Sequence, residues 1–507
     1  MDAPGTRHAR HGRLRTLRAA VVLVILAGVA VLSPPAEAPG TAPSAGERPN
    51  IVFVLADDLD WTLVPYMPEV QRLQREGVTL ERFFVSASLC CVSRASILTG
   101  RYPHNTRVLT NEPPSGGYLA WTYYGNETRS VAFGLAAAGY RTGIFGKYIN
   151  GYEANVRPDP GWTDWMAGSR GYSGFEYDLS DNGFPVHFGS APTDYATDVI
   201  ARGGVRFIRE SVAAGAPFMV KLATFAPHRP AVPAPRHAQL FADVELPVDG
   251  AFDRRVSDPP RWLGERRALT GRDREELRRR FRRRVRSVQA IDELLGLVRA
   301  TVEELGVAPN TYVVFSSDNG YHLGQRRLTH GKRTAYDGDV RVPTVIAGPG
   351  VPAGVTSTAL ASNVDLAPTF LHWAGADRRG QDGRSLHHLL GGGIVPDGWR
   401  RGVLVEHYFD GRPPSRRDFG RRLAADPDAQ DWRMGLPGTY AALRTERELY
   451  IEHRDGSREL YDLRADPFEL ENLAASMTRA ERQRWEGMLA RFLRCAAASC
   501  RRADRLR

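Results

Sequence analysis

Residues 49–58 of the chain read PNIVFVLADD, and this stretch decides the fold. Ile51–Leu55 is an apolar run of the length of a buried strand, and it ends just before Asp57 and Asp58. Further runs of this kind lie at Arg141–Phe145, Phe218–Phe225, Tyr312–Ser316 and Val342–Ala347, with helical segments such as Ser130–Tyr140 between them. The alternation predicts an α/β fold with a large, mostly parallel sheet flanked by helices.

Acidic and amide side chains follow two of these predicted strands. Asp57 and Asp58 come after the first strand, and Asp318 and Asn319 follow the run at 312–316. Ligands of such sheets bind beyond the carboxyl ends of the strands, and oxygen donors suit Ca²⁺. An isolated Asp-Asp pair would be a strand-end cap or turn, but the second cluster favours a metal site.

Composition bounds the class of protein. The chain has 507 residues, of which 42% are hydrophobic and 25% charged, so it is globular rather than disordered, collagenous or a polytopic membrane protein. The net charge is +10, and only three of the 68 basic residues are lysines: Lys147, Lys221 and Lys332. A lysine kept in such a chain indicates a need for a compact ammonium group.

The first 38 residues have the features of a secretory signal. Five arginines precede the apolar run Ala19–Leu32, and the small-residue end Ala36-Glu37-Ala38 follows. The run has 14 residues, fewer than the roughly 20 that span a bilayer. We expect a signal at 1–38, a linker at 39–48, and a secreted, cell-surface or periplasmic protein. Pro39 hinders cleavage after Ala38, so a later cleavage site and a retained membrane anchor both stay alternatives.

The pattern changes after the glycines at 391–393. Short antiparallel strands are predicted at Tyr440–Leu443, Glu448–Glu452 and Glu459–Leu463, with a helix at Thr478–Leu493. We therefore divide the chain into a catalytic domain at 49–393 and a smaller C-terminal α+β subdomain at 394–507. Export implies an oxidising compartment, and Cys495 and Cys500 close a short loop, which predicts a disulfide between them.

Nine arginines lie between positions 272 and 286. Apolar side chains recur there at helical spacing: Leu277, Phe281, Val285, Val288, Ile291, Leu295, Val298 and Val302. The spacing predicts a long amphipathic helix whose arginines coat its solvated faces. A nucleic-acid-binding arm would lack the apolar stripe, so no nucleic-acid partner is expected, although a polyanion-contacting surface stays an alternative.

Residues 90–101 read CCVSRASILTGR and carry the most chemical information. The segment places a thiol just before a helix, whose N-terminus stabilises anions and lowers a thiol pKa. A thiol nucleophile and a merely buried cysteine pair are both consistent with this pattern. Adjacent cysteines such as Cys90 and Cys91 do not form an unstrained disulfide with each other.

The same segment resembles the sulfatase signature C-x-P-S-R-x-x-x-L-T-G-R, in which the first Cys becomes formylglycine (3-oxoalanine). The alignment puts the modified residue at Cys90, while Val92 stands where the family usually has Pro or Ala. The resemblance extends to residues 49–53, Asp57-Asp58, Gly146-Lys147, Ala226-Pro227-His228, Ser317–Gly320, Lys332, residues 459–463, Asp466-Pro467 and residues 471–473. It implies an alkaline-phosphatase-like fold and the hydrolysis of sulfate monoesters.

The resemblance also implies a cofactor, a maturation partner and a set of roles. A formylglycine-generating enzyme would convert Cys90, and one hydroxyl of the hydrated aldehyde would attack sulfur. The implied Ca²⁺ ligands are Asp57, Asp58, Cys90, Asp318 and Asn319. Arg94 would hold the formylglycine and the metal ligands, and Lys147, Lys332 and His228 would bind the sulfate of the substrate. His228 is also the candidate general acid toward the leaving alcohol.

One family feature is missing, and it affects the choice of base for sulfate release. Many sulfatases have a His shortly after the Gly-Lys pair, where this chain has Tyr148-Ile149-Asn150. Asn150 cannot act as a base. We therefore include His322 among the substrate-binding candidates and leave the base open.

The motifs together resemble N-acetylglucosamine-6-sulfatases and extracellular heparan 6-O-endosulfatases more than simple arylsulfatases. A sulfated sugar such as N-acetylglucosamine 6-sulfate is therefore the expected substrate, with an arylsulfatase as an alternative. A phosphate or phosphonate monoester hydrolase is a second alternative, and turnover of an aryl sulfate against an aryl phosphate discriminates the two. A third is an inactive secreted binder of sulfated glycans, which an unconverted Cys90 would indicate.

Overall fold

A ten-stranded mixed sheet forms the centre of the structure, a computed structural model that describes residues 48–264, 266–392, 395–409 and 437–506. The predicted signal at 1–38 and the linker up to residue 47 lie outside the described residues. The described strands, which include those of two smaller sheets, are β1 (Asn50–Ala56), β2 (Val78–Leu80), β3 (Phe83–Phe84), β4 (Arg141–Lys147), β5 (Asp164–Gly168), β6 (Tyr177–Asp181), β7 (Phe184–Phe188), β8 (Phe218–Ala223), β9 (Thr311–Ser317), β10 (Val345–Ala347), β11 (Val355–Ser357), β12 (Ala361–Ser362), β13 (Val403–His407), β14 (Tyr440–Arg444), β15 (Glu448–His453) and β16 (Arg458–Asp462).

Helices cover both faces of this sheet. They are α1 (Pro68–Glu76), α2 (Cys90–Thr99), α3 (Pro103–Thr106), α4 (Gly117–Tyr123), α5 (Val131–Ala137), α6 (Ala196–Ala213), α7 (Gly271–Glu304), α8 (Asp337–Val340), α9 (Leu366–Trp373), α10 (Arg479–Leu493) and α11 (Ala498–Ala503). Short 3-10 helices lie at Trp61–Tyr66, Glu127–Arg129, Pro192–Asp194, Pro235–His237, Ala308–Asn310, Asn363–Asp365, Leu386–Leu389 and Ala474–Ser476. Among the described residues, no helix is long and apolar enough to cross a membrane.

The predicted fold class is confirmed. The strand order is β11-β2-β10-β9-β1-β8-β4-β5-β6-β7, and the five central strands from β9 to β5 run parallel. Antiparallel strands β10, β6 and β7 extend the sheet on its two sides. Ala56 of β1 pairs with Ser317 of β9, so these two strands end at the same level. The residues that follow them, Asp57 and Asp318, are therefore brought to one edge of the sheet.

Strand β1 shows how the sheet separates two cores. Its alternate side chains Ile51, Phe53 and Leu55 join one buried cluster, and Val52 and Val54 join the other. Helices α2, α5 and α9 pack on the first face, and α1, α6 and α7 pack on the second. Both faces are buried, which explains why the strand reads as a continuous apolar run rather than an alternating one.

The predicted arginine-rich amphipathic helix is confirmed as α7, which has 34 residues. Thr270 and Asp273 form a capping box at its start. All eight apolar side chains of the predicted stripe are buried, while arginines such as Arg279 are exposed and pair with glutamates of the same helix. The prediction was wrong for Arg284, which is buried.

A second, four-stranded antiparallel sheet follows the order β13-β14-β15-β16. The three predicted strands and the terminal helix are confirmed as β14, β15, β16 and α10, whereas β13 was not predicted. One face of this sheet packs on α10 through Tyr450 and Trp485. Val403 and Ile451 belong to the same core as the first face of the large sheet. Cys495 and Cys500 form a disulfide with a Cα–Cα distance of 4.8 Å.

The stripe of α7 leads to a stability prediction. Phe281 is fully buried and contacts the ring of Tyr66 at 5.9 Å between centroids. Phe281→Ala should lower the free energy of unfolding by about 3–5 kcal/mol, because it leaves a cavity in the core. The matched control Arg279→Ala, on the solvated face of the same helix, should stay within about 0.5 kcal/mol. Urea denaturation measures both, and equal effects of the two substitutions would contradict the assignment of the faces.

Candidate active site

The predicted site residues meet at the carboxyl edge of the parallel strands. The segments that follow β1, β9 and β8 carry the acidic and histidine side chains, β4 ends on a lysine, and α2 begins on a cysteine. The structure brings together eight buried side chains, each at most 4% exposed: Asp57, Asp58, Cys90, Arg94, Lys147, His228, Asp318 and Lys332. Asn319 is fully buried beside them.

Cys90 is the first residue of α2 rather than the residue before it. Its Sγ lies 2.7 Å from Lys332 Nζ and 3.4 Å from Asp57 Oδ1. Burial, followed by the charge of Asp57, raises the pKa of the Cys90 thiol well above its usual value. The expectation that the helix N-terminus lowers this pKa was therefore wrong. The unmodified thiol stays protonated at neutral pH, which argues against its acting as a thiolate nucleophile.

Two ammonium groups contact the acidic pair. Lys147 Nζ lies 2.5 Å from Asp57 Oδ2, and Lys332 Nζ lies 2.5 Å from Asp58 Oδ1. Burial and the charge of Asp318 raise the pKa of Asp57 to about 6, although Lys147 opposes the shift. Burial alone would lower the pKa of Lys147, but the Asp57 carboxylate holds it well above its usual value. The two lysines and the two carboxylates therefore form a buried cluster of ion pairs.

Gly146 explains why Lys147 can enter the site. Its φ is 99°, and a Cβ atom at this position would lie 2.1 Å from the carbonyl oxygen of Ala223 on β8. Only glycine allows this backbone conformation together with so close an approach of two strands. Strand packing therefore requires the glycine of the Gly-Lys pair, and the charge of the site requires the lysine.

The donor set fits a hard cation. Asp57, Asp58, Cys90 and His228 can offer ligand atoms that all lie within 4.8 Å of one another. Asp58 Oδ2 and Asn319 Oδ1 are buried oxygens without a hydrogen-bond partner among the described residues. Such orphaned oxygens are costly, and Ca²⁺ is the kind of ion that would satisfy them.

Asp318 is engaged differently from the other predicted metal ligands. Its Oδ1 accepts a hydrogen bond of 3.1 Å from the backbone N–H of Asp58, and its Oδ2 accepts one of 2.7 Å from Arg94 Nε. Arg94 and the neighbouring lysines hold the pKa of Asp318 well below its usual value, although burial opposes the shift. Asp318 therefore stays ionised and fixes the two segments that follow β1 and β9.

Arg94 joins three parts of the site, and its predicted contact with the formylglycine stays a prediction. Besides its bond to Asp318, its Nη1 donates to the carbonyl oxygen of Lys147 at 2.9 Å, and its Nη2 lies 3.9 Å from Asp57 Oδ1. Burial would lower the pKa of this guanidinium, but the two carboxylates outweigh burial and raise it. The side chain is a fixed positive charge that links α2 to the ends of β4 and β9.

His228 faces the acidic pair with one ring nitrogen. Nδ1 lies 2.8 Å from the carbonyl oxygen of Arg229, which can only accept, so Nδ1 carries a proton. Nε2 lies 3.7 Å from Asp58 Oδ2. The ring contacts Tyr172 at 4.4 Å between centroids, and Lys147 Nζ lies 4.9 Å from the centre of that same ring. Tyr172 was not predicted as a site residue, although it contacts two of the residues that were.

His322 supports the loop that carries Lys332. Its Nδ1 lies 2.9 Å from Asp339 Oδ1, and its backbone exchanges hydrogen bonds of 2.8 and 3.1 Å with Gly331. In the part of the chain that the structure describes, the group of potential metal ligands around Cys90 does not include His322. Its proposed contact with substrate stays a prediction.

Arg284 is a functional residue that the sequence analysis missed. Its Nη2 donates to the carbonyl oxygen of Asp58 at 2.6 Å and to Asp60 Oδ2 at 2.7 Å. Its Nη1 donates to the carbonyl oxygen of Pro227, next to His228, at 3.3 Å. A signal was present, because position 284 lies three residues after Phe281 and thus falls within the apolar stripe of α7.

The small sheet also contributes to the site. Tyr440 Oη donates to the carbonyl oxygen of Arg333 at 2.9 Å. Ser88, just before α2, accepts from the Arg333 N–H at 3.1 Å and donates to the carbonyl oxygen of Thr334 at 2.8 Å. The loop that carries Lys332 is thus held between the segment before Cys90 and the second sheet.

Comparison with known proteins agrees with this geometry. The profile of the Sulfatase family matches residues 49–376. An arylsulfatase of Volvox carteri is 33% identical over 543 residues, which cover 96% of this chain and 79% of the relative. An N-acetylglucosamine-6-sulfatase of Capra hircus is 33% identical over 489 residues, which cover 91% of this chain and 86% of the relative.

A solved structure shares the fold. It is that of BT4656 in complex with its substrate D-glucosamine-2-N,6-O-disulfate, and it matches with a TM-score of 0.74 and 22% identity over 90% of this chain and 99% of the other. The profile covers more than half of the chain, and the two relatives extend the match over nearly all of it. The resemblance seen in the motifs is therefore confirmed: the chain belongs to the sulfatase family and is a sulfuric ester hydrolase.

Proposed function

We propose that the protein is an exported sulfatase that releases sulfate from a sulfated sugar, such as N-acetylglucosamine 6-sulfate, with a formylglycine formed from Cys90 and a bound Ca²⁺. One observation carries the proposal. Cys90 Sγ lies 3.4 Å from Asp57 Oδ1 and 2.7 Å from Lys332 Nζ, with all three side chains buried. A nucleophile at this position would face both a metal site and a cation that can bind sulfate.

The state of the Cys90 thiol supports its modification. Its raised pKa keeps it protonated, so the encoded residue is a poor nucleophile. A hydrated formylglycine supplies one hydroxyl that attacks sulfur and a second whose deprotonation allows sulfate to leave. Because Cys90 is only 1% exposed, the formylglycine-generating enzyme would have to act before the chain folds around this residue.

Asp57, Asp58, Asp318 and Asn319, with residue 90, are the residues that would hold Ca²⁺, whose charge would help to bind the sulfate oxygens. Lys147 contacts Asp57 and Lys332 contacts Asp58, so both can neutralise a sulfate bound beside the acidic pair. Their ammonium groups are fixed by buried carboxylates, and they need no reorganisation when an anion binds.

His228 is suited to protonate the leaving alcohol. Its Nδ1–H is committed to the carbonyl oxygen of Arg229, so Nε2 is the nitrogen that can exchange a proton with a substrate. The Asp58 carboxylate, 3.7 Å from Nε2, stabilises the protonated ring. A proton donor is needed most for a sugar hydroxyl, which is a poor leaving group.

Motifs, a disulfide and one relative support the rest of the proposal. The Capra hircus relative is named N-acetylglucosamine-6-sulfatase, and the motifs around Cys90, Lys147 and His322 resemble that branch. The disulfide between Cys495 and Cys500 is consistent with an oxidising compartment. Turnover of N-acetylglucosamine 6-sulfate, compared with an aryl sulfate and the matching aryl phosphate, tests the substrate class. Faster turnover of the phosphate would overturn it.

The first of three predictions about the site concerns the modification of residue 90. The peptide that contains Cys90, isolated from active protein, should show the mass of an aldehyde in place of a thiol in at least part of the material. Val92→Pro should raise the converted fraction, because it restores the residue that the signature usually has. Peptide mass spectrometry measures both. Active protein with only unconverted Cys90 would refute the formylglycine mechanism.

The second prediction concerns the metal. Asp58→Asn should weaken Ca²⁺ binding by at least about a hundredfold, since even outer-shell partners of a metal are worth about 10–100-fold. Asparagine fits the left-handed backbone of Asp58, whose φ is 65°. Asp164→Asn is the matched control, because Asp164 is mostly buried at the start of β5, away from the carboxyl edge. Calorimetric titration with Ca²⁺ measures all three proteins, and equal affinities would remove the metal role from Asp58.

The third prediction separates Lys332 from a general positive charge. Lys332→Arg should reduce kcat on a sugar sulfate by about a hundredfold, or about 3 kcal/mol, because a planar guanidinium cannot occupy the place of a compact ammonium. The loss should shrink with nitrophenyl sulfate, whose leaving group needs little stabilisation. Steady-state kinetics on both substrates is the measurement. An equal loss on both would mean that Lys332 does not act on the leaving group.

A further inference from the structure

A second cationic site lies away from the active site. It is a cavity of about 660 Å³ whose wall includes Arg378, Arg379, Arg384, Arg501, Arg505 and His388, and we call it the arginine cavity. Two carboxylates, Asp377 and Asp397, also line it, so the arginines exceed the acids by three. Such an excess of one charge in a concave site attracts the opposite charge.

The arginine cavity is separated from the reactive residue by the length of α2. Cys90 begins α2, and Gly100 follows its last residue. The backbone N–H groups of Asp382 and Gly383, the second of which lines the cavity, donate to the carbonyl oxygen of Gly100 at 2.8 and 3.2 Å. Ten residues of α-helix span about 15 Å. The cavity thus lies at the other end of the helix, and it is not an extension of the active site.

Only part of the positive charge of the cavity is balanced within the protein. Arg379 pairs with Asp377 at 2.8 Å, and Arg384 pairs with Asp504 at 2.5 Å. Arg501, by contrast, donates to a backbone carbonyl oxygen, that of Gln381, at 2.5 Å.

Arg378 and Arg505 differ from these three. Within the described ranges, neither guanidinium forms a hydrogen bond or an ion pair with another residue of the chain. Arg501 likewise forms no ion pair within 4 Å in the described part of the chain, although the charges of Asp382 and Asp504 act on it from further away.

The neighbouring groups respond to this concentration of charge. Burial and then the charge of Arg378 lower the pKa of His372 to about 4. Burial and then the charge of Arg384 lower the pKa of Arg501. Like charges that repel one another across a cavity are stabilised when an anion binds between them.

We propose that the arginine cavity is a second binding site for a sulfate or phosphate group, either as the free ion or as an ester on a sugar. Guanidinium groups bind such oxyanions through two parallel hydrogen bonds, which an ammonium cannot do. The volume lies within the range of about 300–1,000 Å³ that is usual for small-molecule sites, so a sugar unit fits as well as an ion. The proposal does not depend on the substrate of the active site.

Calorimetric titration tests the proposal with three probes: sodium sulfate, sodium phosphate and glucosamine 6-sulfate, each corrected with sodium chloride at equal ionic strength. The test variant is Arg378→Gln combined with Arg505→Gln. Neither guanidinium forms a hydrogen bond or an ion pair within the described residues, so the substitutions should not affect the fold. The matched control is Arg502→Gln, an exposed neighbour of Arg501 in α11 that does not line the cavity. Thermal melting of all variants verifies that they fold.

The double variant should bind one equivalent of anion fewer than the wild type, or bind it about tenfold more weakly, while the control keeps wild-type binding. Inhibition of ester hydrolysis by sulfate reports on the active site and should be the same in all three proteins. A sugar ester that binds more tightly than both ions would identify a carbohydrate ester as the ligand, and equal affinities would identify the free ion. Unchanged stoichiometry and affinity in the double variant would overturn the proposal.

Discussion

The burial of three carboxylates side by side is the constraint on which the rest of the site depends. Asp57, Asp58 and Asp318 are all without exposure to solvent. An ion buried without a partner costs several kcal/mol, so each carboxylate needs a cation or a hydrogen-bond donor close by. The raised pKa of Asp57 indicates that the cations of the protein compensate this charge incompletely. The remaining demand for positive charge is what makes the site fit for a divalent ion and, next to it, an anionic substrate.

The architecture supplies the compensating charges from separate directions. Arg94 comes from the second turn of α2, Lys147 from the end of β4 and Lys332 from a loop after β9. Arg284 reaches the backbone of the acidic pair from the opposite face of the sheet, and the second sheet holds the Lys332 loop through Tyr440. The site therefore cannot form in one local segment, because each charge depends on the packing of a different element.

The sequence predicted those features that follow from strand order and motif, and it failed where packing decides. Asp57 and Asp318 could be predicted to lie at one edge of the sheet, because both follow buried strands of a mostly parallel sheet. That β1 and β9 are direct neighbours could not be predicted, since other strands separate them in the chain. Burial of Cys90 could not be predicted from a helix start, and burial reversed the expected direction of its pKa. Arg284 was predicted to be solvated, because composition identifies the arginine-rich segment but not the single position in it that faces inward. Tyr172 carries no motif at all, and only the fold brings it to Lys147 and His228.

The use of lysine in this chain shows how far composition alone can lead. All three lysines are buried, and two of them contact the acidic pair. The third, Lys221, lies within β8 between Phe53 and Ile144, and its Nζ has no hydrogen-bond partner in the described ranges. Burial and the charge of Arg94 lower its pKa well below the usual value, which favours the neutral amine. An ammonium can lose its proton and fit a low-dielectric position, whereas a guanidinium cannot. Lysine thus serves two opposite needs in this chain. Lys147 and Lys332 supply a compact positive charge at the site, whereas Lys221 within β8 can lose its charge.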